Sequence, residues 1–181
     1  MYGGFTVDRS DRHLSNYHRF DAQSEADDDC FRTTRALVVA ARRWRKLAND
    51  RLKPLKQTMA RWETLYLVAY SEAELNQSQL ARLIGVQGPT MIRMLDGLAR
   101  EGLIERQQSH HDLRVTINRI TDEGRAVISE IMGVTNALRH EILADVNREE
   151  LKTTVKVLTQ ILRSIDKHDA GAGERPDEEA N

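Results

Sequence analysis

The segment Gly88-Pro89-Thr90-Met91-Ile92-Arg93 holds side-chain types suited to reading a nucleic acid. The Arg93 guanidinium is planar and donates two parallel hydrogen bonds to O6 and N7 of guanine, a contact that discriminates by about 1–3 kcal/mol. Pro89 and Thr90 suit a thymine methyl or a phosphate, and N–H groups at the start of a helix attract a phosphate as well. Other chemistry has little to work with. There is no phosphate-cradling glycine loop, no Gly-x-Ser-x-Gly and no carboxylate pair with a partner base, so an enzyme is not expected. His13, His18, His110, His111, His140 and His168 are scattered without metal-ligand spacing, and neither a metal nor another cofactor is expected.

For these side chains to reach a groove they must stand on the outer face of a short helix. The sequence from Asn76 to Thr121 supplies one. Asn76 and Gln79 fit a capping box opening a helix through Leu80, Ala81, Leu83 and Ile84, which breaks at Gly85, a residue free to take positive φ. Gly88 and Pro89 start the next helix, since proline is preorganised for a first turn. Met91, Leu95 and Leu98 then share a buried face, leaving Thr90, Arg93 and Gly97 on the other. Gly102 closes that helix. Leu103 and Ile104, a polar tip from Ser109 to Arg114, and the run Val115, Ile117 and Ile120 predict two strands joined by a wing. The expected fold class is mainly α (α+β), a winged helix-turn-helix.

The run Arg51-Leu52-Lys53-Pro54-Leu55, Gln79-Leu80-Ala81, Gly88-Pro89-Thr90, Arg93, Leu95-Asp96, Leu98, Glu101-Gly102-Leu103-Ile104 and Arg106 resembles the MarR family of regulators. Asp112-x-Arg114 and Thr121-x-x-Gly124 fit the same pattern, and the resemblance covers roughly residues 33 to 165. Trp44-Arg45 ahead of Arg51 is similar to the SlyA-type members. The resemblance implies a DNA-binding set of Gly88, Pro89, Thr90, Arg93, Asp112 and Arg114. In it Arg114 enters a narrow, A·T-rich minor groove and Asp112 holds the turn or orients that arginine. Leu113 and Thr116 depart from the SlyA-type pattern, in which basic residues are common at these positions. The wing here therefore carries less charge.

Net charge of −1 conceals an uneven distribution. Residues 1 to 30 carry three basic and seven acidic side chains and residues 166 to 181 two and six, which leaves +7 on residues 31 to 165. A clustered positive body, rather than the sum, governs attraction to phosphates. The expected organisation is an acidic and mostly disordered extension over 1–32, a body over 33–165 and an acidic disordered tail over 166–181. Within the body, 33–53 and 122–165 are expected as long helices around a winged unit at 58–121. No apolar run is long enough for a membrane span and no secretion signal opens the chain, so a cytoplasmic, nucleoid-associated protein is expected.

The first helix carries Leu37, Val38, Ala41, Trp44, Ala48 and Leu52 along one stripe. Near the other end Leu151, Val155, Leu158, Leu162 and Ile165 step by four and three. A small winged core cannot cover all of these stripes, which predicts a homodimer built from the terminal helices. Two such subunits would set their reading helices about one turn of duplex apart on a palindromic, A·T-rich operator of double-stranded DNA. The resemblance further implies a small aromatic carboxylate as effector, with Arg42, Arg45 and Trp62 as its pocket. Two alternatives come from other classes: a winged helix serving as a protein-docking module, and a thiol redox sensor through Cys30. Asp27, Asp28 and Asp29 disfavour a thiolate at Cys30.

Overall fold

Proline at position 54 cannot continue a helix, and the first long helix, α1 (Glu25–Leu52), stops two residues before it and gives way to a 3-10 turn, Lys53–Leu55. The computed structural model describes residues 25–172 apart from 73 and 109–115, with side chains described through 168. Among the described residues there are six α-helices and one two-stranded sheet. After α1 come α2 (Met59–Tyr70), α3 (Gln77–Ile84), α4 (Gly88–Arg100), β1 (Ile104–Gln108), β2 (Thr116–Ile120), α5 (Asp122–Ile142) and α6 (Arg148–Ala172). The chain divides into two compact units at the Thr135–Asn136 boundary.

α1 begins at Glu25, eight positions before the expected Thr33. Its acidic run, expected as part of a mostly disordered extension, is helical instead. Asp28 pairs with Arg32 at 3.7 Å one turn on, a spacing that supports a helix. The rest of the expected extension, residues 1–24, lies outside the described residues. Further along, Ala48 and Leu52 are fully buried, but Val39 rather than Val38 turns inward, and Val38 is exposed.

The winged unit is built on local signals. The Asn76 side chain accepts from the N–H groups of Ser78 and Gln79 at 3.0 and 2.9 Å, while Gln79 Oε1 accepts from Asn76 N–H at 2.9 Å, completing the capping box. Gly85 ends α3 at φ 73°, and Thr58 caps α2 by accepting from Arg61 N–H. Met91, Leu95 and Leu98 of α4 are fully buried with Leu65, Leu80, Ala81, Ile84, Leu103, Ile104 and Ile128. Each large apolar side chain so buried contributes about 1.5–3 kcal/mol.

The strands pair antiparallel, from Ile104 opposite Ile120 to Gln108 opposite Thr116. The inward residue in mid-β2 is Asn118, which is buried, whereas Ile117 is only half-buried on the opposite side of the pleat. At the root of the wing, Thr121 Oγ1 donates to Gly102 O at 2.7 Å and accepts from Gly124 N–H at 3.0 Å. A Cβ on Gly124 would lie 2.1 Å from Leu103 O, so α5 approaches β1 more closely than any other residue allows.

In the second unit, Asn147 and Glu150 exchange the two bonds of a further capping box at 2.9 and 3.2 Å, and α6 follows. α6 runs to Ala172, beyond the expected end at 165, because residues 166 to 170 contain no helix breaker. Val155, Leu162 and Ile165 are exposed along it, while Leu151 and Leu158 are half-buried. No helix among the described residues is long and apolar enough to cross a membrane.

Candidate nucleic-acid interface

α4 offers its first turn and one face to solvent. Gly88, Pro89, Thr90 and Arg93 are all exposed. Gln87, the residue before the helix, makes no side-chain cap. The N–H groups of Thr90 and Met91 bond the Gln87 carbonyl at 3.0 and 3.1 Å, and proline has none, so the Gly88 N–H alone in this turn lacks an acceptor among the described residues. The attraction for a phosphate therefore narrows to that one group. Arg93 Nε donates to Pro89 O at 3.2 Å, which lays the side chain back along the helix and leaves both Nη groups to solvent.

Asp96, three positions on, accepts from Arg106 Nη1 of β1, and no carboxylate among the described residues pairs with Arg93. Gly97, expected on the outer face with Arg93, is half-buried: Arg61 Nη1 lies 3.5 Å from where its Cβ would be. Glu101, the last residue of that turn, accepts from Arg61 Nη2 at 2.5 Å. Arg61 carried no motif, and Glu101 is 40 positions away; Arg106 was part of the resemblance, but nothing in the sequence paired it with Asp96.

The wing pair cannot be placed in the same way. Gln108 and Thr116 form the last paired rung, and Asp112 and Arg114 lie outside the described residues.

The three residues expected to take an effector stand in different settings. Arg42 is exposed on α1. Arg45 faces Glu63 of α2 at 3.7 Å, so its charge is already met. Burial pushes the Glu63 carboxyl above its ordinary pKa, and Arg45 draws it partway back. Trp62 is half-buried with its ring 5.6 Å from Tyr66, and Tyr66 is 4.9 Å from Tyr70. Glu63 and the aromatic row were legible only as a polar neighbour and a spacing of four. A separate cleft of about 310 Å³ is lined by Leu67, Leu75, Arg119 and Arg125 together with Asn118. Neither amide atom of Asn118 has a hydrogen-bond partner among the described residues.

The MarR family matches residues 58–116, the span from the α2 cap to the start of β2. The transcriptional regulator PA3341 is similar over 72% of this chain and 96% of its own, with 30% sequence identity and a TM-score of 0.65. MarR from E. coli, in its apo form, is 25% identical over 71% of this chain and 96% of its own, with a TM-score of 0.63. The transcriptional repressor CouR, solved bound to a 23-mer DNA duplex, is 26% identical over 71% of this chain and 91% of its own, also with a TM-score of 0.63. With a capped helix pair, an exposed second helix and a two-stranded wing in the same order, the chain belongs to the MarR family of transcriptional regulators.

Proposed function

We propose that two copies of this chain read a palindromic, A·T-rich operator, each presenting the outer face of α4 to one of two successive major grooves. The observation that carries this reading is the state of Arg93: exposed, drawn along its helix, and released from Asp96 because Arg106 has taken that carboxylate. A guanidinium without a protein counter-ion loses least on meeting guanine. Gly88, Pro89 and Thr90 hold the adjoining phosphate or thymine methyls, and Arg114, oriented by Asp112, enters the minor groove. That the similar repressor CouR is solved bound to a DNA duplex supports DNA as the partner.

The homodimer is formed by α1, α5 and α6. Its support is the row Val155, Leu162 and Ile165 on α6, which are 63%, 60% and 48% exposed, an apolar stripe that one subunit leaves to water. Trp44-Arg45 and the segment 51–55 favour the SlyA type within the family, and the place of action on this reading is the nucleoid. A small aromatic carboxylate modulates binding at Arg42, Arg45 and Trp62. To reach Arg45 it competes with Glu63, whose charge Arg45 stabilises against burial.

Selection of bound fragments from random duplex DNA with the purified protein tests the reading. Recovery of a palindrome with half-sites one helical turn apart is expected. Recovery of no common sequence, or of a single asymmetric half-site, would overturn it. Salicylate at millimolar concentration should then weaken binding to the selected fragment; unchanged affinity removes the effector from the proposal.

A further inference from the structure

We infer that Arg61 is a positioning residue for DNA reading: it sets the rotation of α4 without touching the duplex. The inference rests on the operator reading proposed for Arg93. α4 is held to its unit by Met91, Leu95 and Leu98, and apolar packing of this kind is strong but non-directional. It resists removal of the helix better than it resists a small turn about the helix axis. Arg93 nevertheless needs an accurate bearing. On a helix whose side-chain envelope has a radius of about 5–6 Å, a turn of about 10° moves a tip by about 1 Å. That consumes the whole tolerance of a hydrogen bond between 2.7 and 3.2 Å.

Directional contacts have to supply the bearing, and among the described residues two ion pairs grip α4 and the residue that ends it. One is Asp96 with Arg106 of β1. The other is Glu101 with Arg61 of α2, and its geometry is the more constrained. The Arg61 side chain is 18% exposed. Its Nε donates to Gln57 Oε1 at 3.0 Å, its Nη2 to Glu101 at 2.5 Å, and its Nη1 sits over Gly97 at ordinary contact distance from a Cβ there. Three edges of one rigid plane are therefore occupied, and that plane is itself anchored. Gln57 is buried, and its N–H bonds Leu52 O, the end of α1, at 3.3 Å. Met59 N–H bonds Asn49 Oδ1 at 2.8 Å, tying the start of α2 to α1 as well. The bearing of α4 is thus referred to α1 through Arg61. A lysine cannot substitute, because an ammonium lacks the planar fork that meets Gln57, Gly97 and Glu101 together.

The test uses the full chain and the fragment recovered by selection. Affinity for that fragment and for a random duplex is measured over a range of salt, with the melting temperature, for Arg61→Gln, Arg61→Lys, Glu101→Gln and the exchanged pair Arg61→Glu with Glu101→Arg. Arg61→Gln, Arg61→Lys and Glu101→Gln should each weaken operator binding about tenfold, within the range a single base contact spans. Random-duplex binding and the salt slope should stay within about twofold of wild type, and the exchanged pair, which cannot rebuild the fork that meets Gln57 and Gly97, should stay as weak as Arg61→Gln. Glu101 is half exposed, so its variant reports even where an Arg61 variant folds poorly. Operator affinity within twofold of wild type for Arg61→Gln and Glu101→Gln would overturn the inference. So would parallel losses on both duplexes with a falling melting temperature, which mark a merely structural role. A wild-type protein with no preference for any fragment overturns the operator reading itself, and this inference with it.

Discussion

Asp96 of α4 is bound to Arg106 across the turn into β1, although Arg93 lies on its own helix only three positions away. Spacing along a helix favours the Arg93 pair, yet the strand wins, because the Arg106 side chain is largely buried and brings a fixed partner to the carboxylate. Asp96 is thus spent internally, and Arg93 is left for DNA.

The division of labour between Arg93 and Arg114 follows. Arg93→Ala should relax sequence preference at one base position per half-site while leaving random-duplex binding close to wild type. Arg114→Ala should weaken binding to all sequences and reduce the salt slope by about one. Competition binding between the selected fragment and single-base variants measures both. Wild-type affinity in both variants would remove the DNA-reading proposal.

Asn118 is a buried polar residue under the wing, and neither of its amide atoms is bonded among the described residues. An unsatisfied buried amide costs about 1–3 kcal/mol, and leucine has nearly the same branched shape. Asn118→Leu should therefore raise the melting temperature, at roughly 2–4 °C per kcal/mol for a chain of this size. The added methyl volume can extend toward the cleft that Asn118 lines. A lower melting temperature would instead indicate that water entering the cleft bonds the amide in the native protein.

What could be read before any coordinates were known was what is encoded within a few positions. The box of Asn76 and Gln79, the positive φ at Gly85 and the buried row Met91, Leu95 and Leu98 depend on neighbours along the chain, and all three stand as expected. Arg61 and Glu101 are 40 positions apart, and nothing local joins them. Asn118 escaped notice because alternation of apolar residues is the signal for a strand, and a buried amide breaks it. The early start of α1 was hidden by composition. Asp27, Asp28 and Asp29 look like a solvated tail until Asp28 is set one helical turn before Arg32. The roles of Asp112 and Arg114 came from resemblance alone, since a polar tip of mixed charge has no periodicity to interpret.

Glu63 gives a pH dependence of known sign. Burial raises its pKa above the ordinary carboxylate value, with Arg45 opposing. A carboxyl whose pKa is raised by folding contributes its stability in full below the unfolded pKa and loses it as pH rises through the folded one. At pH 7 the charged form is therefore held at a cost, and Glu63→Gln should melt higher than wild type there. By about pH 4, near the unfolded glutamate pKa, the difference should shrink toward zero. Melting curves across that interval decide it. A variant that melts lower than wild type at pH 7 would show that the Arg45 contact, not burial, governs the site.

Gly97 and Gly124 are both helical glycines, and geometry separates them. At Gly97 an added Cβ would meet Arg61 Nη1 at 3.5 Å, an ordinary contact, so Gly97→Ala should gain the usual about 0.5–1 kcal/mol of a helix interior. At Gly124 the same atom would lie 2.1 Å from the Leu103 carbonyl oxygen and 2.6 Å from Ile120 Cδ1. A side chain can rotate away, but Leu103 O cannot, because it accepts from Thr121 N–H at 3.2 Å where the wing joins α5. Gly124→Ala must then push α5 off the root of β1, and overpacking of this kind costs about 1–3 kcal/mol or more. The two variants should shift the melting temperature in opposite directions. Equal shifts would mean that α5 stands clear of Leu103 in solution, and the glycine would then owe its place to something other than close approach.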